Sequence, residues 1–155
     1  MEATETLEQV LADQLFFKGI APEKLALIAE CAHEVTFAAG DYLFREGQPA
    51  NHFYVVTRGA VALETHTPGR GEHTLQTVME NEVLGWSWLF PPYRWHFDGR
   101  ALTLIRAIDF NALCLRGKCD EDHDLGYELM RRFGQIMFER LQATRLQLLD
   151  VYGSH

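Results

Sequence analysis

The densest chemistry in this sequence lies in one segment, Gly85-Trp86-Ser87-Trp88-Leu89-Phe90-Pro91-Pro92-Tyr93-Arg94-Trp95-His96-Phe97-Asp98, which holds all three tryptophans of the chain within ten residues. The indoles of Trp86 and Trp95 can stack on a base or line an apolar ligand cavity. Arg94 and His96 can donate to an anion, and Ser87 adds a hydroxyl beside the backbone N–H groups near 86–89. The competing expectation is that the tryptophans pack the interior shut, with Arg94 in solvent or paired with Asp98.

Other chemistry finds less support. His33, His52, His66, His73, His96, His123 and His155 show no HxxH or HExxH spacing. Cys114-Leu115-Arg116-Gly117-Lys118-Cys119 followed by His123 fits no familiar ligand set for zinc or an iron–sulfur cluster, so no metal is expected. Neither a GxSxG nor a P-loop is present, and the carboxylates of Glu80-Asn81-Glu82 and Cys119-Asp120-Glu121-Asp122-His123-Asp124 read as a solvated turn and a helix start. No catalytic residue is assigned, and the chain is not expected to be an enzyme. Cys31, Cys114 and Cys119 are an odd count without a CxxC pair, so a disulfide framework is not expected; they read as two core thiols and one surface thiol.

A length of 155 residues fits a single domain, 1–155. The formal net charge of −8 repels nucleic acid but leaves room for a local site for a small anion. No run approaches the roughly 18–20 apolar residues of a membrane span. Met1-Glu2-Ala3-Thr4-Glu5 has neither a basic region nor an apolar block, so a cytoplasmic location is expected, with no membrane and no nucleic-acid partner.

These residues must be positioned by three zones. Residues 1–34 read as helices: Leu7, Val10, Leu11, Leu15 and Phe16 fall at helical spacing, Gly19 interrupts, and Pro22 opens a second helix. Residues 35–108 read as short strands broken by turn residues every 8–12 positions, the pattern of an antiparallel sandwich or barrel, ending in a strand pair at about 96–108. Residues 109–152 read as a short helix from Phe110 to Leu115 and a long one opening at Cys119-Asp120-Glu121-Asp122 and running to Tyr152. Leu129, Phe133, Ile136, Met137, Leu141 and Leu148 form one apolar stripe of that helix, and Tyr127, Met130, Phe138, Leu146 and Leu149 widen it. A helix apolar on more than one side usually has two partners. A homodimer through this helix is therefore expected, with Leu129→Asp or Phe133→Asp breaking it.

The order of elements resembles that of cyclic nucleotide-binding domains, and so do particular residues. Phe37-Ala38-Ala39-Gly40-Asp41-Tyr42-Leu43-Phe44-Arg45-Glu46-Gly47 resembles the family's first hairpin. Phe53-Tyr54-Val55-Val56 with Arg58-Gly59 and Val61 resembles the next. Glu82-Val83-Leu84-Gly85 and Arg100-Ala101 resemble the entry and exit of its phosphate-binding cassette, here 84–101. The resemblance implies a mainly β fold with flanking helices: an eight-stranded double-stranded β-helix, or jelly roll, with N-terminal helices and a long C-terminal helix. It also implies a regulatory, signalling module of the catabolite activator sensor type that binds a cyclic nucleotide, with a short helix after Gly85 presenting its N–H groups to the phosphate.

The cassette departs from that pattern. Where the family has a glutamate for the ribose 2′-hydroxyl this chain has Trp86; where it has the phosphate-pairing arginine, Trp95; and His96 takes the following Ser/Thr position. Each lost charge-assisted contact is worth roughly 1.5–3 kcal/mol. Together they amount to about 10²–10⁴-fold in affinity. The expected ligand is a nucleotide-like or other small anion, cyclic AMP or cyclic GMP included, held by Leu84, Gly85, Trp86, Ser87, Trp88, Arg94, Trp95 and His96. Arg94 would rescue the anion site if the Pro91-Pro92 turn shifts the register. The alternative is a ligand-free scaffold that binds a protein partner. A haem-bound sensor of the same superfamily is a third, weaker reading. Nothing follows Tyr152 but Gly-Ser-His, whereas a transcription factor of this kind would continue into a winged helix-turn-helix; the chain reads as a stand-alone sensor or a piece of a longer regulator.

Overall fold

A computed structural model describes residues 6–153 of the chain. They form two compact units, residues up to Gly117 and from Lys118 on.

The first unit opens with α1 (Leu7–Asp13). Its start is fixed by a capping box: the Thr6 hydroxyl accepts from the Gln9 N–H, and the Gln9 side chain accepts from the Thr6 N–H. A 3-10 turn, Leu15–Phe17, buries Phe16 and Phe17. Then α2 (Pro22–Ala29) starts on the proline, whose missing N–H costs nothing in a first turn.

Eight strands follow: β1 (Ala32–Phe37), β2 (Tyr42–Phe44), β3 (His52–Arg58), β4 (Val61–Thr67), β5 (Gly71–Val78), β6 (Val83–Leu84), β7 (Asp98–Ala101) and β8 (Ile105–Asn111). They make two four-stranded antiparallel sheets, ordered β1-β8-β3-β6 and β2-β7-β4-β5. This is the expected jelly roll, with two differences at its edges. The roll begins at Ala32 rather than near residue 35, because Ala32 pairs with Phe110 and carries the ladder back to the end of α2. Phe110 and Asn111 are strand rather than helix, held between β1 and β3, so the short helix starts later.

The core lies between the sheets and under the N-terminal helices. Phe53, Val55, Val56, Ile105, Ile108 and Phe110 are wholly buried. Rings continue across it: Phe53 stacks on Phe110 at 4.4 Å between centroids, and Phe110 meets Phe17 at 5.5 Å. On β4 the buried Glu64 carboxylate takes two parallel hydrogen bonds from Arg100 of β7, at 2.8 and 2.9 Å. The guanidinium holds that carboxyl below the usual range against the opposing effect of burial.

The strand-to-helix corner differs from the sequence reading in one covalent respect. Cys31 and Cys114 form a disulfide, which replaces the expected pair of core thiols. Neither spacing nor count signals it, since the two cysteines lie 83 residues apart. The β1–β8 pairing is what brings them together.

α3 (Ala112–Glu121) is longer than the expected Phe110–Leu115 helix and takes in Cys119-Asp120-Glu121, the expected start of the long helix. α4 (His123–Gly153) follows, with the Asp122 carboxylate accepting from the Leu125 N–H. In this second unit Glu128 binds Arg131 and Arg132, which hold its carboxyl below the usual range. Burial is the main cause, with Asp120 and Asp122 nearby, of the free Cys119 thiol being pushed up to about 11. Leu129 and Phe133, the expected seam positions, are buried, whereas Tyr127, Met130, Phe138, Leu141 and Leu148 are exposed. No described helix is long and apolar enough to cross a membrane.

Candidate functional site

The cassette segment runs from β6 to β7. β6 pairs with β3 through Tyr54↔Leu84 and Val55↔Val83, which seats Leu84 in the interior. Gly85 then turns the chain with φ +101°. Only glycine adopts that conformation readily, and a Cβ there would also sit 2.5 Å from the Trp95 ring. A single 3-10 turn, Ser87–Leu89, follows, with Ser87 and Trp88 buried and Trp86 half-buried.

The return limb of the cassette is pinned to the loop after β2. The Gly47 N–H donates to the Trp95 carbonyl at 2.8 Å, the Trp95 N–H to Gln48 at 3.0 Å, and the Ala50 N–H to Tyr93 at 2.7 Å. Pro49 and Arg94 form the bridge between these limbs. In extended backbone, successive side chains alternate sides. With Trp95 directed inward, its neighbours Arg94 and His96 face out. Arg94 is exposed and donates from Nη1 to the Gly47 carbonyl at 2.8 Å; His96 is exposed. The Pro91–Pro92 peptide is cis.

Two of the three indoles are interior. Trp95 is 4% exposed, stacks on Phe44 with 3.7 Å between centroids and 9° between planes, and lies against Gly85. Trp88 is fully buried and stacks on Phe53 at 5.0 Å, joining the cassette to the Phe53–Phe110 pair. Of the expected ligand residues, Leu84, Gly85, Ser87, Trp88 and Trp95 are buried, Trp86 is half-buried, and Arg94 and His96 are exposed.

Each arginine that touches this region is engaged. Arg45 lies over the Tyr42 ring at 3.9 Å and beside Asp98 at 3.5 Å. Arg100 is paired with Glu64, and Arg94 with Gly47. Arg116 of α3 donates to the Trp88 carbonyl at 3.2 Å and lies over the Tyr93 ring at 4.1 Å. Sequence reasoning missed Phe44, Tyr93 and Arg116 as parts of the site. Phe44 stood in a recognisable hairpin, but nothing in the spacing of Arg116 marks it. Away from the cassette, His52 Nδ1 is 2.7 Å from Asp109 Oδ1, with His33 at 3.6 Å from the same carboxylate. No group of three His, Cys, Asp or Glu among the described residues is arranged to hold a metal ion.

Comparison with known proteins gives this arrangement a setting. The profile of the family described as "Cyclic nucleotide-binding domain" matches residues 34–122, more than half of the chain. A CRP-like cAMP-activated global transcriptional regulator of Mycobacterium tuberculosis is 23% identical over 94% of this chain. The match covers 63% of that regulator's own length. Among solved structures, a Geobacter metallireducens GS-15 protein assigned to the cyclic nucleotide-binding proteins superposes with a TM-score of 0.79 and 26% identity, covering 88% of this chain and 99% of that one. The N-terminal domain of a transcriptional regulator from Streptomyces coelicolor A3(2) superposes with a TM-score of 0.69 and 30% identity, covering 87% of this chain and 94% of that one.

Proposed function

The chain belongs to the cyclic nucleotide-binding domain family, and from that premise we propose that it is a non-enzymatic regulatory sensor of a nucleotide-like or other small anionic ligand. The observation that carries this reading is the preserved cassette frame: β6, the left-handed Gly85, and a short turn whose amides follow it. The ligand site is the stretch holding Leu84, Gly85, Trp86, Ser87, Trp88, Arg94, Trp95 and His96. A ligand reaching the turn displaces the Trp95 indole from Phe44. Because Arg116 grips both the Trp88 carbonyl and the Tyr93 ring, a shift of the cassette draws on α3. The signal leaves through α3 and α4. For this to work the ligand must favour one arrangement over the other.

Cyclic AMP and cyclic GMP are weak ligands on this reading, with no guanidinium aimed at the phosphate and no carboxylate at the ribose. Calorimetric titration with both, and with mononucleotides, is expected to show binding about 10²–10⁴-fold weaker than a cassette with both charged contacts would give, accompanied by a change in tryptophan emission. Silence from every ligand by both readouts rejects the sensor reading. It would favour a closed, ligand-free scaffold that binds a protein partner, a reading to which the tight Trp95–Phe44 stack already lends support.

We also infer that the whole chain acts as one cytoplasmic module and that two copies join along α4. Leu141 and Leu148 lie seven residues apart, 50% and 52% exposed, with Phe138 beside them at 56%. That spacing suits a helix-to-helix seam. The double variant Leu141→Asp, Leu148→Asp is expected to halve the mass found by light scattering, with the circular dichroism unchanged. A folded variant of unaltered mass would refute the seam.

A further inference from the structure

The Cys31–Cys114 disulfide ties the first turn of α3 to the junction of α2 and β1. We propose that it is a reversible thiol–disulfide switch that sets how firmly α3 is held to the roll. The proposal concerns the attachment of α3 alone and stands whatever the cassette binds.

The first ground is that the bond is an addition to a corner built without it. The Asn111 N–H donates to the Cys31 carbonyl at 2.8 Å, next to the Ala32↔Phe110 pair of the β1–β8 ladder. The Asn111 side chain then accepts from the Cys114 N–H at 3.0 Å, capping the first turn of α3. Main-chain hydrogen bonds and this cap therefore keep the two cysteines adjacent when the sulfurs are apart. Such a pair closes and opens without unfolding the roll, and the entropy of closing its long loop is already spent by the ladder.

The second ground is what the bond restrains. Cys114 stands two residues from Arg116, whose guanidinium grips the cassette through Trp88 and Tyr93. With the disulfide closed, α3 is held covalently at its first turn and by Arg116 one half-turn later. With it open, the Asn111 cap, the buried Ala112 and Leu115, and Arg116 remain. The two cysteines are unequally exposed as residues, Cys31 buried and Cys114 partly exposed, which favours attack at Cys114. For a cytoplasmic chain, as proposed above, a disulfide is more often redox-sensing than permanent.

The reaction is exchange with a low-molecular-weight thiol. Its thiolate attacks Cys114 Sγ; the S–S bond breaks, and the electron pair passes to Cys31 Sγ, which takes up a proton. A second small thiolate attacks the small-molecule sulfur of that mixed disulfide; Cys114 Sγ leaves with the electron pair and takes up a proton, and the two small molecules depart joined as a disulfide. Two electrons and two protons have moved from the small thiols to the protein pair.

The test uses the full chain in graded glutathione buffers, with alkylation and mass spectrometry to count thiols and amide hydrogen exchange to follow α3. The expected result is a reversible transition between closed and open pairs without denaturant, the far-ultraviolet circular dichroism unchanged. Exchange across 112–121 rises at least tenfold on opening. Cys114→Ser, with Cys31→Ala as its partner variant, reproduces that rise without reductant, and Cys119→Ser leaves exchange and its redox response as in the parent. A bond that opens only in denaturant, variants that fail to fold, or opening that leaves exchange in α3 unaltered would each overturn the proposal.

Discussion

The double variant Trp95→Arg, Trp86→Glu is expected to bind cyclic AMP about 10²–10⁴-fold more tightly than the parent chain, as measured by calorimetry. The main-chain frame of the segment is in place, with His96 still at the Ser/Thr position. Gly85 turns with φ +101°, the 3-10 turn follows, and the return limb is pinned to residues 47–50 by main-chain bonds independent of the side chain at 95. An arginine at 95 inherits the inward direction that the strand alternation gives Trp95. There it meets Phe44, a ring on which a guanidinium can lie flat, and projects past Gly85 toward the amides of the turn. The glutamate supplies the acceptor for the ribose. Losing the Trp95–Phe44 stack will lower stability, so the comparison requires a variant shown to be folded. If such a variant gains no affinity, the two indoles are not what weakens the site.

Trp88→Ala carries the largest expected loss of stability, about 3–5 kcal/mol. For a chain of this size that corresponds to a melting temperature lower by roughly 6–20 °C. The ring is fully buried, and its removal takes away the face on which Phe53 stacks, so the cavity opens against the buried middle of β3, Phe53 to Val56. A β-sheet main chain held on both sides, as β3 is by β6 and β8, has little freedom to collapse into that space. Trp86→Ala is the control: half-buried, it is expected to cost about 1 kcal/mol or less. Equal melting temperatures for the two variants would show that Trp88 is not the interior ring it is taken to be.

The fold was readable because its signals are local and redundant. Turn glycines at 40, 47 and 59, alternating strands and a long amphipathic helix each have their own physical cause and agree in order. Boundaries were less readable where tertiary pairing overrides local preference. Phe110 and Asn111 precede a helix-like run, yet β1 and β3 flank them on both sides and hold them in strand. The turn after β6 was readable from Gly85. The direction of the cassette's side chains was not, because it depends on which limb pairs with residues 47–50, a contact between segments some 45 residues apart. The same holds for Arg116 and for the disulfide, whose partners are brought together by the ladder alone. On α4 the apolar residues were found, but only burial separates Leu129 and Phe133 from Leu141 and Leu148.

Gly85 has a consequence for how kinship is read. The missing methyl at this place leaves room that a ligand would otherwise need, and in this chain it is taken by the edge of an indole. Selection would preserve the glycine in either circumstance, since any larger residue collides with whichever tenant is present. Its retention in a lineage is thus silent about cargo, and ancestry with or without an empty berth has to be judged from the residue at 95.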